Sequence, residues 1–329
     1  MRKIIYFNND VSFLGSASAG GHEERRGPLG ESFDFCDDTD RFGMKTWEAA
    51  EAELARLTLN IALKKTNIQK DELDVLLAGD LENQCVASSS GLYSFGIPYI
   101  GLYSACSTAT EAILLLSTLI STGYIKKGAT VTTSHNSAAE RQFRTPIEYG
   151  GQRSPTSQWT ATAGGAFIIG SGGKVKIKEG LVGKIVDGLT KDAMNMGAAM
   201  ARAAFDSIFT YFEISGERVD SFDLIITGDL GKYGSYILED LLRKEVPGAE
   251  KIHVDCGNLL YDEKIQDCHA GASGCGCSAS VLSSHFLPML EREEIKNVLF
   301  LSTGALMSPS SVLQGENILG IAPLLRFSI

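Results

Sequence analysis

Cys106 is the residue best placed for covalent chemistry. It stands in Ser104-Ala-Cys-Ser-Thr-Ala-Thr110, at the turn that opens an apolar helical stretch reaching about Thr122. Orphan N–H groups and the positive end of a helix dipole acidify a thiol there, which points to a nucleophile. The plainer alternative is a packing cysteine, since free Cys is among the most buried residue types. His135 and Asn136 close the apolar run that follows, and strand ends in open α/β sheets line ligand crevices, so both are expected in a pocket. His269 precedes a Gly-rich turn, where a lone imidazole is more often structural than a base. Cys268, His269, Cys275 and Cys277 lack the paired Cys-x2-4-Cys reach of structural zinc, so no metal is expected. No Walker or dinucleotide fingerprint occurs, and no cofactor is expected.

The elements that position these groups come as a repeat. Glu72-Leu-Asp-Val-Leu-Leu-Ala-Gly-Asp-Leu81 matches Phe222-Asp-Leu-Ile-Ile-Thr-Gly-Asp-Leu230, each reading as a strand buried on both faces. The Cys106 stretch matches Ser273-Gly-Cys-Gly-Cys-Ser-Ala-Ser280, which opens a helix to about Leu290. Lys127–Ser134 matches Lys296–Thr303, and Ala166–Ile169 matches Ile321–Leu325. Helices are expected before the first matched strands, at about Thr46–Thr66 and Ala198–Phe212, with Trp47, Ala50, Leu54, Leu57 and Ile61 at helical spacing. The chain therefore reads as two duplicated α/β halves, 1–172 and 173–329, with helix-covered mixed sheets. Ser137–Thr162 has no counterpart in the second half; an insertion of that length is usually a lid or an interface arm.

Composition narrows the function classes. A formal charge of -10 over 329 residues repels phosphate backbones, so nucleic acid is not an expected partner. No apolar run is long enough to span a bilayer, and Met1-Arg-Lys-Ile-Ile-Tyr reads as a first strand, not a signal peptide. Seven cysteines, an odd number, point to reduced thiols in a cytoplasmic setting, with any membrane association peripheral.

The duplicated half with Cys at a helix tip resembles the thiolase and β-ketoacyl synthase superfamily. Gly101–Ala112, Ser134-His-Asn136, Arg141-Gln-Phe-Arg-Thr-Pro-Ile-Glu-Tyr-Gly-Gly-Gln152, Pro155-Thr-Ser-Gln-Trp-Thr160 and Thr227-Gly-Asp-Leu-Gly231 are similar to one branch, the stage V sporulation protein AD family of endospore formers. The resemblance covers essentially the whole chain. It implies a thiolase-like fold in αβαβα layers and a homodimer through the edge strand and insertion of the first half. It also implies a component of a dipicolinic acid transport system that binds the acid or its calcium chelate. Such a component acts beside membrane subunits at the forespore or spore inner membrane, in uptake during sporulation and release in germination.

Departures from the superfamily's enzymes argue against catalysis. Condensing enzymes add His plus Asn, or His plus Cys, to the thiol; the corresponding stretches here read Gly228-Asp229, Gly271-Ala272-Ser273 and Ser302-Thr303-Gly304. A pseudo-enzyme is expected, with Cys106 a vestigial nucleophile; the alternative is a degenerate acyltransferase using Cys106 with His135 or His269. A flat ring with two carboxylates requires cationic donors and a stacking surface. Arg141, Arg144 and Arg153, with Phe143, Tyr149 and Trp159, supply such groups, unless the insertion is an interface arm. With Cys106, His135, Asn136, Asp229, Ser273 and Gly304, the residues Arg141, Arg144, Tyr149 and Trp159 make up the expected ligand site.

Overall fold

A computed structural model describes residues 2–143 and 153–329, with only the backbone of Phe143. Apolar runs form the strands expected of them. The first half contributes β1 (Ser12–Gly20), β2 (Val75–Gly79), β3 (Tyr99–Gly101), β4 (Gly128–Ser134) and β5 (Ala163–Gly170). The second contributes β6 (Lys176–Leu181), β7 (Leu224–Thr227), β8 (His253–Asp255), β9 (Asn297–Leu301) and β10 (Leu324–Ser328). Hydrogen bonding orders them β3-β2-β4-β5-β1-β6-β10-β9-β7-β8, so the second half mirrors the first about the β1–β6 junction. The matched strands β2 and β7 occupy equivalent places in that order. Only Ser12 and Lys176 pair across the junction. The N-terminal strand, Ile4–Tyr6, pairs antiparallel with β6, so the chain's first strand belongs to the second half's sheet.

Side-chain alternation along the strands builds three apolar layers. In β2, Val75 and Leu77 pack toward the centre while Leu76 and Ala78 face outward. The outer face of the first sheet carries α1 (Trp47–Thr66), begun by the Thr46 hydroxyl accepting from the Ala49 amide at 3.3 Å. The second sheet's outer face carries α5 (Met196–Ser215), which begins two residues before its expected start because Asn195 caps the Ala198 amide. Around the first sheet also lie α2 (Val86–Leu92) and α4 (Asn136–Phe143); α6 (Gly231–Glu245) lies beside α5.

Between the sheets run α3 (Thr108–Ser121) and α7 (Cys275–Val281), the latter continuing through a π turn at Leu282–Phe286 to Glu291. This gives the five layers α1, sheet, α3 with α7, sheet, α5. The approach of α7 to β5 requires glycine: a Cβ on Gly276 would lie 2.0 Å from the Ala163 carbonyl, and one on Gly165 2.5 Å from Ala279 backbone. The Cys-Gly-Cys run therefore serves packing, with Cys275 donating to the Thr133 carbonyl at 2.9 Å and Cys277 to the Gly228 carbonyl at 3.6 Å. All seven cysteines are unpaired and buried. Among the described residues no helix is long and apolar enough to cross a membrane.

Candidate functional site

Cys106 lies two residues before α3, after Ala105, whose φ of 49° is unusual for a residue with a side chain. Ser107 holds the turn by donating to the Ser104 carbonyl at 2.6 Å. A Cβ on Gly304 would sit 2.8 Å from that same carbonyl, so glycine there lets the turn after β9 close against the Cys106 turn.

The second half supplies what faces the thiol. Cys106 Sγ is 4.0 Å from Ser273 Oγ, which in turn donates to Asp229 Oδ2 at 3.1 Å. The Gly274 amide donates to the same oxygen at 3.0 Å, and Thr303 Oγ1 donates to Asp229 Oδ1 at 2.7 Å. Asp229 is fully buried, and that burial pushes its carboxyl up to about 7 despite these donors. Burial first, and the Asp229 charge second, push the Cys106 thiol well above its ordinary range. The acidification expected from the helix terminus is therefore overturned: desolvation and a facing carboxyl outweigh the dipole. The thiol faces a buried carboxyl whose charge opposes thiolate formation.

Over this floor lies a cavity of about 410 Å³, walled by Tyr103, Glu140, Thr160, Met196, Leu306 and Ser311 among others. Glu140 Oε1 accepts from Thr160 Oγ1 at 2.9 Å. Among the described residues lining it there is no lysine, arginine or histidine.

One wall is a two-stranded parallel ladder, Trp159–Thr160 against Ala272–Ser273. Neighbouring residues of an extended segment point to opposite faces. Thr160 and Ser273 thus face Cys106, while Trp159 lines a second cavity of about 360 Å³ with Arg153, Arg26, Tyr261 and Gln266. Gln158 fixes the ladder, its Nε2 donating to the Asp229 carbonyl at 2.7 Å and the Ala272 carbonyl at 2.8 Å.

The expected site residues divide accordingly. Cys106, Asp229 and Ser273 come together, and Gly304 packs beside them. His135 does not line the cavity. It is buried beneath Trp47, its Nε2 2.7 Å from the Asp40 carbonyl and its Nδ1 accepting from the Ser137 amide at 3.2 Å; burial lowers its pKa, and it is a neutral, fully engaged ring. Asn136 begins α4, its amide donating to Thr162 Oγ1 at 3.1 Å. Arg141 is exposed and paired with Glu48, outside the cavity. Arg144 and Tyr149 lie outside the described residues. His269 pairs with Asp267 at 2.9 Å, also away from Cys106. Two contributors went unread at the outset: Thr303, although it is the repeat's counterpart of Ser134, and Gln158, whose amide bridges the halves.

A layered, internally repeated sheet pair with a cysteine at the tip of a central helix defines a protein of the thiolase-like fold. Solved structures of that fold align over almost the full length: Xanthomonas campestris OleA H285D at TM-score 0.62 and 12% identity, covering 99% of this chain and 100% of that one. The 3-oxoacyl-[acyl-carrier-protein] synthase III of Aquifex aeolicus VF5 aligns at TM-score 0.57 and 12% identity, covering 96% and 99%. Within that class the chain belongs to the stage V sporulation protein AD family, whose model, Stage V sporulation protein AD (SpoVAD), matches residues 1–327. The Stage V sporulation protein AD of Bacillus subtilis (strain 168) is 40% identical over 317 residues, covering 96% of this chain and 94% of that protein.

Proposed function

We propose that this chain is a non-catalytic binding component of the spore. It takes up dipicolinic acid, or its calcium chelate, on a scaffold that has lost acyl transfer. The observation that supports this reading is Cys106 set against Asp229 through Ser273, since burial and the Asp229 charge disfavour the thiolate that nucleophilic attack requires. The chelate suits the Cys106 cavity best. Calcium cancels the two carboxylate charges, and a neutral planar ligand fits apolar walls carrying the hydroxyls of Tyr103, Ser308 and Ser311. Calorimetric titration with dipicolinate, with and without calcium, is the test. Saturable binding that tightens with calcium is expected; no heat in either arm overturns the reading.

The same proposal covers assembly: a homodimer acting beside membrane subunits at the spore inner membrane. The supporting feature is β3, the end strand of the first half, whose Tyr99 and Ile100 are exposed next to exposed Tyr93 and Tyr103. An unpaired apolar edge is a surface that a second copy covers by strand pairing. Light scattering at micromolar concentration should give twice the chain mass, and the protein should co-purify with detergent-extracted membrane subunits. A single chain mass and an empty pull-down count against it.

A further inference from the structure

We infer that the cavity on the far side of the Trp159–Thr160 ladder is a second ligand site, built for the free carboxylate of a planar aromatic acid. It holds a cationic and aromatic pairing that the Cys106 cavity lacks among the described residues. The Arg153 guanidinium lies 4.7 Å from the centre of the Trp159 ring, and both line the cavity. One nitrogen of that guanidinium, Nη2, is held by Asp267, through its carbonyl and its carboxylate at 3.4 Å. The other, Nη1, is buried and has no hydrogen-bond partner. A buried, charged N–H without an acceptor is costly, and a carboxylate is the acceptor a guanidinium fork fits.

The neighbouring groups are already committed, which leaves that donor as the vacant valence. Glu23 is occupied in holding Arg26, at 3.0 Å, and Gln266 Nε2, at 2.9 Å. Asp267 lies at the exposed rim. Tyr261 offers its ring, its hydroxyl being donated to Glu24. Arg26 lines the same cavity paired with Glu23, so the lining carries as many carboxylates as guanidiniums, and the attraction for an anion comes from the open Arg153 nitrogen. The volume, about 360 Å³, is that of a small-ligand site.

The choice of probe, dipicolinate, rests on the reading proposed above; the placement does not. The chain has two tryptophans, Trp47 and Trp159, so Trp47→Phe leaves Trp159 as the sole indole reporter. Dipicolinate titrated into that variant, with a chelator present to keep it free of calcium, should change the Trp159 emission saturably. Arg153→Gln in the same background should weaken binding ten-fold to a hundred-fold, the range of one charge-assisted hydrogen bond. Arg26→Gln, which leaves the ladder contacts untouched, should weaken it several-fold and serves if the first variant does not fold. Calorimetric binding with unchanged Trp159 emission, or with equal affinity in the folded arginine variants, overturns this placement and leaves the binding reading standing. Unchanged emission, together with no heat in either calorimetric arm, with or without calcium, overturns the two together.

Discussion

Asp229→Asn should raise the alkylation rate of Cys106 by iodoacetamide at pH 8 by about ten-fold or more. At that pH Asp229, which titrates at about 7, is charged, and its charge opposes formation of the thiolate. Each unit by which the thiol's pKa falls gives about ten times more thiolate while it remains mostly protonated. Asn keeps the shape of the side chain and removes that charge; the burial remains, so the thiol stays less acidic than a free one. Peptide mapping by mass spectrometry separates Cys106 from the six other buried thiols. A rate equal to wild type would mean that burial alone sets the thiol. In the wild-type protein, acyl-CoA should leave no thioester on Cys106, and stoichiometric acylation would reinstate the acyltransferase alternative.

The second large effect is on stability. Glu24 is fully buried and joins the halves: it accepts from the Gly21 amide at 3.0 Å, the Thr162 amide at 3.0 Å and the Tyr261 hydroxyl. Glu24→Ala strands these donors, each at about 1–3 kcal/mol, so a loss of about 3 kcal/mol or more is expected in urea unfolding. Burial raises the Glu24 carboxyl from 4.5 to about 7. The folded state therefore holds this proton at pH values where the unfolded chain has released it. Its contribution is full below the unfolded pKa and is lost as pH rises through about 7, a change on the order of 3 kcal/mol. Glu82 and Asp229, also raised to about 7, act in the same sense. The melting temperature should fall between about pH 5.5 and pH 8, and Glu24→Gln should flatten that slope. A melting temperature that rises across this interval would contradict the assignment.

What could be read from the sequence was governed by repetition. The paired Gly-Asp-Leu endings located β2 and β7, and with them Asp229, because buried parallel strands leave an unbroken apolar run. Ser273 and the turn at Gly304 followed from the same register. Where an argument used the chain alone and needed a direction in space, it went astray. His135 does sit at a strand end, but its ring turns under Trp47 and is held by Asp40, a contact 95 residues away. For Cys106 the sequence offered two opposing effects, the helix dipole and an Asp at the place of the missing His, and burial together with the Asp229 charge decides for the second. Arg141, Arg153 and Trp159 read as one cluster because they are close in sequence; the Glu48 pairing takes Arg141 out of it, while Arg153 and Trp159 stay together on the side of the ladder away from Cys106.

That ladder ties the fate of the two cavities together. Trp159 and Thr160 are consecutive, so a one-residue slip of this segment against Ala272–Ser273 would exchange them, sending the indole toward Cys106 and the hydroxyl toward Arg153. Neither chamber can be altered in this way without the other. The double anchorage of the Gln158 amide holds that frame, so changes in chain length must be absorbed upstream of it. The two chambers are thus inherited as one unit, with their identities written in the parity of a two-residue strand.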